Sequence, residues 1–366
     1  MNDRTPAPRG LEDRARIAAE DQAVDWRALE NLIHIDPAGR GLASFMTGSG
    51  ESCARLDAGQ LRAAANHLAS NASAIGIITG FCAVTRDRVT AETDGPPGAL
   101  LLARVLLAAG TDVSLISDSY GVPLLAAGCE LFELDRQMVI EFPMDIAGPA
   151  EDAWLRDFFA RGPGGRLTHL IAIERPGPSH TLESLEKQSP AGSNAREQFL
   201  RAVNRPDRDL CHNMRGESIE GWTARTHRLF EWIDERQLPV TTIAVGDGGN
   251  EIGMGRFPWN TIVEAIGSDA AGKIVCRIAT EYAIVGGVSD WAAYALALAV
   301  ARLRGVADRH EAWTANAQSQ LIEHLVARAG AVDGITRLPN PTVDGLPLDV
   351  YLEPLTAMRK LLGFER

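Results

Sequence analysis

No stretch of this 366-residue chain is apolar for long enough to cross a bilayer. The longest uninterrupted apolar run, Trp291 to Ala301, falls well short of the roughly 20 residues a membrane-spanning helix needs. Cysteine is sparse. Cys53, Cys82, Cys129, Cys211 and Cys276 are odd in number, scattered and never paired as CxxC, which argues against both a disulfide framework and a zinc knuckle. Positive charge is in deficit, with 36 basic against 48 acidic residues for a net charge of −12, and no local basic patch offsets it. Such a chain repels phosphate backbones and anionic headgroups, so neither nucleic acid nor a membrane is an expected partner. No period of roughly 20 to 50 residues recurs, which excludes solenoids. Met1 to Asp25 mixes Arg, Asp and Glu with no apolar core, unlike a secretory signal; with the cysteine usage, this makes a reducing, cytoplasmic location the expectation.

What is present is an ordinary globular composition, 45% hydrophobic and 23% charged, in a chain long enough to bury a sizeable core. Strand-length apolar runs recur at Ala74–Thr79, Asp112–Ser117, Met138–Phe142, Thr168–Glu174, Val240–Val245 and Lys273–Ile278. Helical spacing lies between or after them at Leu56–Ser70, Gly98–Ala109, Ala150–Ala160, Thr223–Glu235, Trp291–Arg304 and Ala312–Ala329, with a last helix near Tyr351–Leu362. Continuous β-branched runs alternating with helices predict an α/β fold: a doubly wound, mainly parallel sheet with helices on both faces. The expected organisation is an N-terminal arm or helix over 1–29 and one large α/β domain over 30–366. The long irregular segment 177–217 is expected to be a lid or binding loop.

In such a sheet ligands sit beyond the carboxyl ends of the strands. The first strand leads through Thr79 and Gly80 into Glu92-Thr-Asp-Gly-Pro-Pro-Gly98, where Thr93 or Asp94 suits a helix cap and Gly95 a close backbone approach. Glu92 and Asp94 thus bring two carboxylates to a ligand-facing helix start. The fourth strand ends in Glu174-Arg175, and the irregular segment carries Asn213 and Arg215; a guanidinium is the side chain shaped to grip a carboxylate. His180 and His212 in the same segment read as surface or structural residues. Ser289 or Asp290 is expected to cap the helix from Trp291.

The sharpest motif is Gly246-Asp-Gly-Gly-Asn-Glu-Ile-Gly-Met-Gly255, five glycines in ten residues after a buried strand. It lacks the lysine of a phosphate-binding loop and the helix of a dinucleotide fingerprint. Gly248 and Gly249 offer backbone N–H groups, while Asp247, Asn250 and Glu251 offer oxygens suited to an ammonium group or a hard divalent cation. Three classes fit these residues: an enzyme acting on a small amino acid or dicarboxylate, a metal-assisted hydrolase or phosphotransferase, and a non-catalytic amino-acid-binding module. The absence of lysine between Leu238 and Gly272 weighs against phosphoryl transfer.

Thr79-Gly-Phe81, Glu92–Gly98, Glu174-Arg175, Asn213-Met-Arg-Gly216, Gly246–Gly255 and Val288-Ser-Asp-Trp291 together resemble the D-glutamate cyclase family, a similarity running from about Glu30 to Leu362. The resemblance implies reversible, ATP-independent cyclisation of D-glutamate to 5-oxo-D-proline with loss of water, without an organic cofactor. The expected catalytic pool is Asp247, Glu251, Glu92 and Asp94, which are also the candidate ligands for Mg²⁺ or Mn²⁺. The expected substrate contacts are Thr79, Gly80, Gly95, Glu174, Arg175, Asn213, Arg215, Gly248, Gly249, Asn250 and Asp290. Asn commonly stands in that family where this chain has Asp290. The expected partner is a small amino acid or dicarboxylate, and a homo-oligomer is compatible with everything above.

Overall fold

The computed structural model describes residues 10–46, 57–188, 194–308 and 311–365. Cys53, Leu56, the first nine residues of the expected arm and residues 189–193 of the expected lid lie outside them. Six strands form one sheet: β1 (Ala74–Thr79), β2 (Asp112–Ser117), β3 (Val139–Glu141), β4 (His169–Ile173), β5 (Thr241–Gly246) and β6 (Tyr282–Val285). Their order is β3-β2-β1-β4-β5-β6 and every pairing is parallel, with Ile77 beside both Leu115 and Ile171 and with Ile171 beside Ile243. This is the doubly wound arrangement, in which strand order reverses between β1 and β4 and opens a crevice at their carboxyl ends.

The main helices are α1 (Leu11–Ala23), α2 (Gln60–Asn71), α3 (Pro96–Ala108), α4 (Val122–Leu131), α5 (Pro149–Ala160), α6 (His227–Glu235), α7 (Ser289–Arg304), α8 (Ala315–His324) and α9 (Glu353–Leu361). Alternate strand residues feed two cores, as a period of two demands. Ile75, Ile77, Ile171 and Ile243 pack with α3 and α7, whereas Ile78, Ile116, Ala172 and Ala244 pack with Leu155, Phe158, Leu229 and Phe230 of α5 and α6. In α7 every residue but Arg302 is buried, so its alanine-rich sequence is that of a helix surrounded by protein. Leu100, Leu101 and Leu102 of α3 are fully buried, each contributing about 2 kcal/mol relative to exposure.

One expectation needs correction. Lys273–Ile278 is not the sixth strand: Ala271–Ile274 is a short helix, and Cys276 then runs in an isolated bridge beside Ser179. Its apolar residues are buried between loops, and an apolar run alone cannot distinguish that from a sheet. The sixth strand is β6, four residues long and registered as Ile243 against Tyr282. Helix α4 gave no helical period because VPLLAAGCEL is apolar almost throughout. The segment 177–217 holds helices Leu182–Gln188 and Ala195–Ala202, and α1 contributes Ile17 to the first core. No helix among the described residues is long and apolar enough to cross a membrane.

Candidate active site

The crossing of α3 and α7 sets the site. A Cβ on Gly98 would lie 2.6 Å from the Cβ of Ala293 and 2.7 Å from Oδ1 of Asp290, so only glycine lets the two first turns meet. Each helix start is then capped from the other. Asp290 Oδ1 accepts from the N–H groups of Gly95 (3.0 Å) and Gly98 (2.7 Å) at the start of α3. Asp94 accepts at Oδ1 from Asp290 N–H (2.9 Å) and at Oδ2 from Ser289 N–H (3.1 Å) at the start of α7. The expected caps are thus exchanged: Asp94 serves the helix of Asp290, and Asp290 serves the helix of Asp94. Thr93 instead donates to the carbonyl of Thr342 (2.7 Å). Carboxylates at helix N-termini gain from the unsatisfied N–H groups and the helix dipole.

Ser289 N–H also donates to Asp247 Oδ2 (3.0 Å), so carboxyl oxygens of Asp94 and Asp247 converge on one donor. Glu174 joins them through the Ser289 hydroxyl, 2.5 Å from its Oε2, and one oxygen each of Asp94, Glu174 and Asp247 lies within 4.8 Å of the others. Glu174 is held at φ +44°, a left-handed conformation uncommon outside glycine, with its N–H on Val245 O (3.1 Å). Gly95 must be glycine at φ +98°, since a Cβ would meet the Thr79 hydroxyl and the Glu174 Cβ, both at 2.7 Å.

Of these acids Glu174 and Asp247 face a cavity of about 240 Å³ at the carboxyl edge of the sheet, whereas Asp94 and Asp290 do not line it. Glu92, Glu174, Asp247, Asn250, Glu251, Asn213 and Arg215 line it together with Arg40, Arg337 and Asp344. Arg40 bridges two acids, 2.6 Å from Asp247 Oδ2 and 2.8 Å from Asp344 Oδ1. Burial pushes the carboxyls of Asp94, Glu174, Asp247 and Glu92 well above the usual range, and neighbouring negative charge adds to it. On Asp247 and Glu92 the Arg40 guanidinium pulls the other way without prevailing. Asp290 is raised to about 7, by burial, against the pull of its three donors, Tyr351 O–H (2.7 Å) and the two α3 N–H groups. Carboxyls this close oppose one another's ionisation and titrate as a group.

Several candidates do other work. Glu251 accepts from three N–H groups of its own loop, Asp247 (2.9 Å), Gly248 (2.6 Å) and Gly249 (2.7 Å), so its carboxylate shapes the glycine loop. Arg175 is buried 2.7 Å from Asp118, with Nε on Thr226 Oγ1 and its terminal nitrogens on the carbonyls of Gly80 and Ala224. It ties loops together and is not among the residues that line the cavity. Asn213 accepts from the N–H groups of Arg215 and Glu217, making a turn that carries Arg215 to the exposed rim, where it donates to Ile335 O (3.2 Å). Asn250 donates to His212 O (2.7 Å). Thr79 and Gly80 lie behind the acids; the Thr79 hydroxyl is buried without a partner among the described residues.

Sequence reading missed Arg40, Ser289 as an acid-binding group, and Asp344. Arg40 is more than two hundred positions from Asp247, and nothing local marks it. Asp344 is visible only as part of an Asp-Gly turn. Among the described residues, Cys82, Cys129, Cys211 and Cys276 are buried free thiols, as expected.

The chain is 27% identical over 358 aligned residues to the mitochondrial D-glutamate cyclase of Homo sapiens, an alignment that covers 90% of this chain and 50% of that protein. It therefore spans about half the length of the curated relative it matches. A family model described as D-glutamate cyclase-like, C-terminal, matches residues 29–185 and 182–359, and these matches take in every strand of the sheet and each acid of the cavity. The chain belongs to the D-glutamate cyclase-like, C-terminal family.

Proposed function

We propose that this protein reversibly cyclises D-glutamate to 5-oxo-D-proline, releasing water. The observation that carries the reading is a small cavity in which buried carboxyls with raised pKa values face guanidinium groups. Cyclisation joins the α-nitrogen to the γ-carboxyl carbon and breaks one carbon–oxygen bond. The ammonium gives up two protons, and the departing carboxylate oxygen takes up two to leave as water. Each proton needs a group that both donates and accepts near pH 7, which carboxyls with raised pKa values supply and ordinary ones do not. Asp247 is the proposed base, because it joins the glycine loop, the Arg40 ion pair and the acid cluster. Glu92, whose carboxylate has no hydrogen-bond partner among the described residues, is the proposed acid toward the departing oxygen. Arg215 and Arg337 at the rim are the proposed carboxylate anchors, and holding both ends together supplies orientation.

Three convergent hard oxygens on Asp94, Glu174 and Asp247 fit a divalent cation such as Mg²⁺ or Mn²⁺. Such an ion would offset the negative charge of the γ-carboxylate and make its carbon a better electrophile. No organic cofactor is required by this chemistry. The buried thiols accord with a reducing compartment, and we propose the cytoplasm, although the human relative's name is mitochondrial.

The test is mass spectrometry of D-glutamate, L-glutamate and 5-oxo-D-proline incubated with the protein, with and without chelator and added Mg²⁺ or Mn²⁺. Loss of one water from D-glutamate and its reversal from 5-oxo-D-proline are expected. Absence of both, with and without added metal, refutes the reading.

A further inference from the structure

The cavity wall opposite the sheet is built by the C-terminal part of the chain. Asp333 accepts at Oδ1 from the N–H groups of Ile335 (3.0 Å) and Thr336 (2.7 Å), and at Oδ2 from the Thr342 hydroxyl (2.7 Å) and Gly345 N–H (2.7 Å). With the bond from Thr93 to Thr342 O, this clamps the tight hairpin Thr342–Val343/Leu346–Pro347 over the acid cluster. Asp344 and Gly345 form its tip at φ +53° and +75°, the left-handed pair that a two-residue Asp-Gly turn requires. Asp344 is 5% exposed and lines the cavity. Its Oδ1 is on Arg40, while its Oδ2, equally buried, has no donor among the described residues.

A buried carboxylate oxygen needs a donor, and among the described residues lining this cavity Asp344 Oδ2 is the buried acid oxygen that has none. We propose that Asp344 receives the ammonium group of the substrate, making this hairpin the element that selects α-amino acids over plain dicarboxylates. The inference rests on the cyclase reading and adds to it an amine-recognising residue. An ammonium offers three donors and one positive charge to the unpartnered Asp344 oxygen, whereas a dicarboxylate lacking the amine leaves that oxygen without a donor.

The experiment compares binding of D-glutamate and glutarate, which differ by the amine, to the wild-type protein, Asp344→Asn and Asp344→Gly. Both variants tolerate a left-handed turn, and unchanged thermal unfolding verifies the fold. Wild type is expected to prefer D-glutamate, and both variants are expected to lose affinity for it about 10- to 100-fold while binding glutarate as well as before or better. An equal loss for both ligands, or no loss for either, overturns the proposal even if wild type cyclises D-glutamate. If wild type prefers D-glutamate to glutarate through Asp344 but releases no water, ammonium recognition stands and the cyclase reading falls. If wild type binds neither ligand, both fall.

Discussion

Two cavities in this protein make opposite use of charge. The larger, about 810 Å³, is lined by residues such as Val240, Thr242, Thr280 and Glu281 at the starts of β5 and β6; of its acids Asp234, Glu235 and Glu281 are exposed, and the half-buried Glu231 is matched by arginines. Arg277 pairs with Asp209 (2.8 Å) and Glu231 (2.5 Å), and Arg228 holds Glu231 at 2.6 Å. Burial pushes Glu231 up, but those arginines outweigh it, and its pKa lies below the usual value. The smaller cavity, about 240 Å³ at the carboxyl edge, gathers buried acids in excess of cations, and the pKa values of Glu92, Glu174 and Asp247 are driven up. Volume therefore does not mark the site here. Unbalanced buried charge does, because a fold retains that arrangement at a cost to stability.

The largest expected effect tests the small cavity directly. Asp247→Asn keeps the shape but removes the titration, and kcat for cyclisation should fall roughly 10²-fold or more while substrate still binds. A near-normal kcat in the folded variant would move the base to Glu92 or Glu174. Next comes Glu251→Gln, which replaces one of two oxygens facing three N–H groups with an amide donor. It should cost about 2 kcal/mol in chemical denaturation, and kcat should drop less than for Asp247→Asn; the reverse order would return Glu251 to the chemistry.

The pH dependence distinguishes the two regions by sign. Asp290 is raised from 3.8 to about 7 in the folded state, so the folded protein binds more protons than the unfolded chain between those values. Its contribution is complete below about pH 4 and is lost as pH rises toward 7. Asp290→Asn keeps an oxygen for the α3 N–H groups and removes that loss, so it should raise Tm at pH 7 to 8 more than at pH 5. A uniform fall in Tm across that range would show that the carboxylate itself is needed. Glu231 behaves oppositely: its lowered pKa gives stability above its unfolded value of 4.5 that is lost as pH falls. Glu231→Gln is the smallest effect expected, about 1 kcal/mol of stability at pH 7 and turnover within roughly twofold. A tenfold loss of turnover would show that the larger cavity takes part in the reaction.

How much was legible follows from the range of the interactions. Five of the six strands stand where apolar runs predict them, since a strand buried on both faces writes its burial into consecutive residues. β6 escaped because Tyr-Ala-Ile-Val is short and a longer apolar run precedes it. Glu92, Asp94, Glu174 and Asp247 were readable as acids at strand ends, which places them near one another in any sheet of this type. Their roles were not. Arg175 and Arg215 look equivalent as sequence, yet one is locked on Asp118 in the interior and the other reaches the rim on an Asn213 turn.

The sequence by itself determined the parallel α/β architecture, the edge of the sheet where chemistry is possible, and the need for glycine in the loop after β5, because these depend on periodicity and on backbone sterics within a few residues. Only the tertiary structure decided which carboxyls crowd together, which arginine pairs with them and which turn closes the cavity. Asp94 meets Asp290, and Arg40 joins Asp247 to Asp344, across contacts of 196, 207 and 304 positions. Charges act through space with a strength set by distance and burial, and separation along the chain carries no information about either.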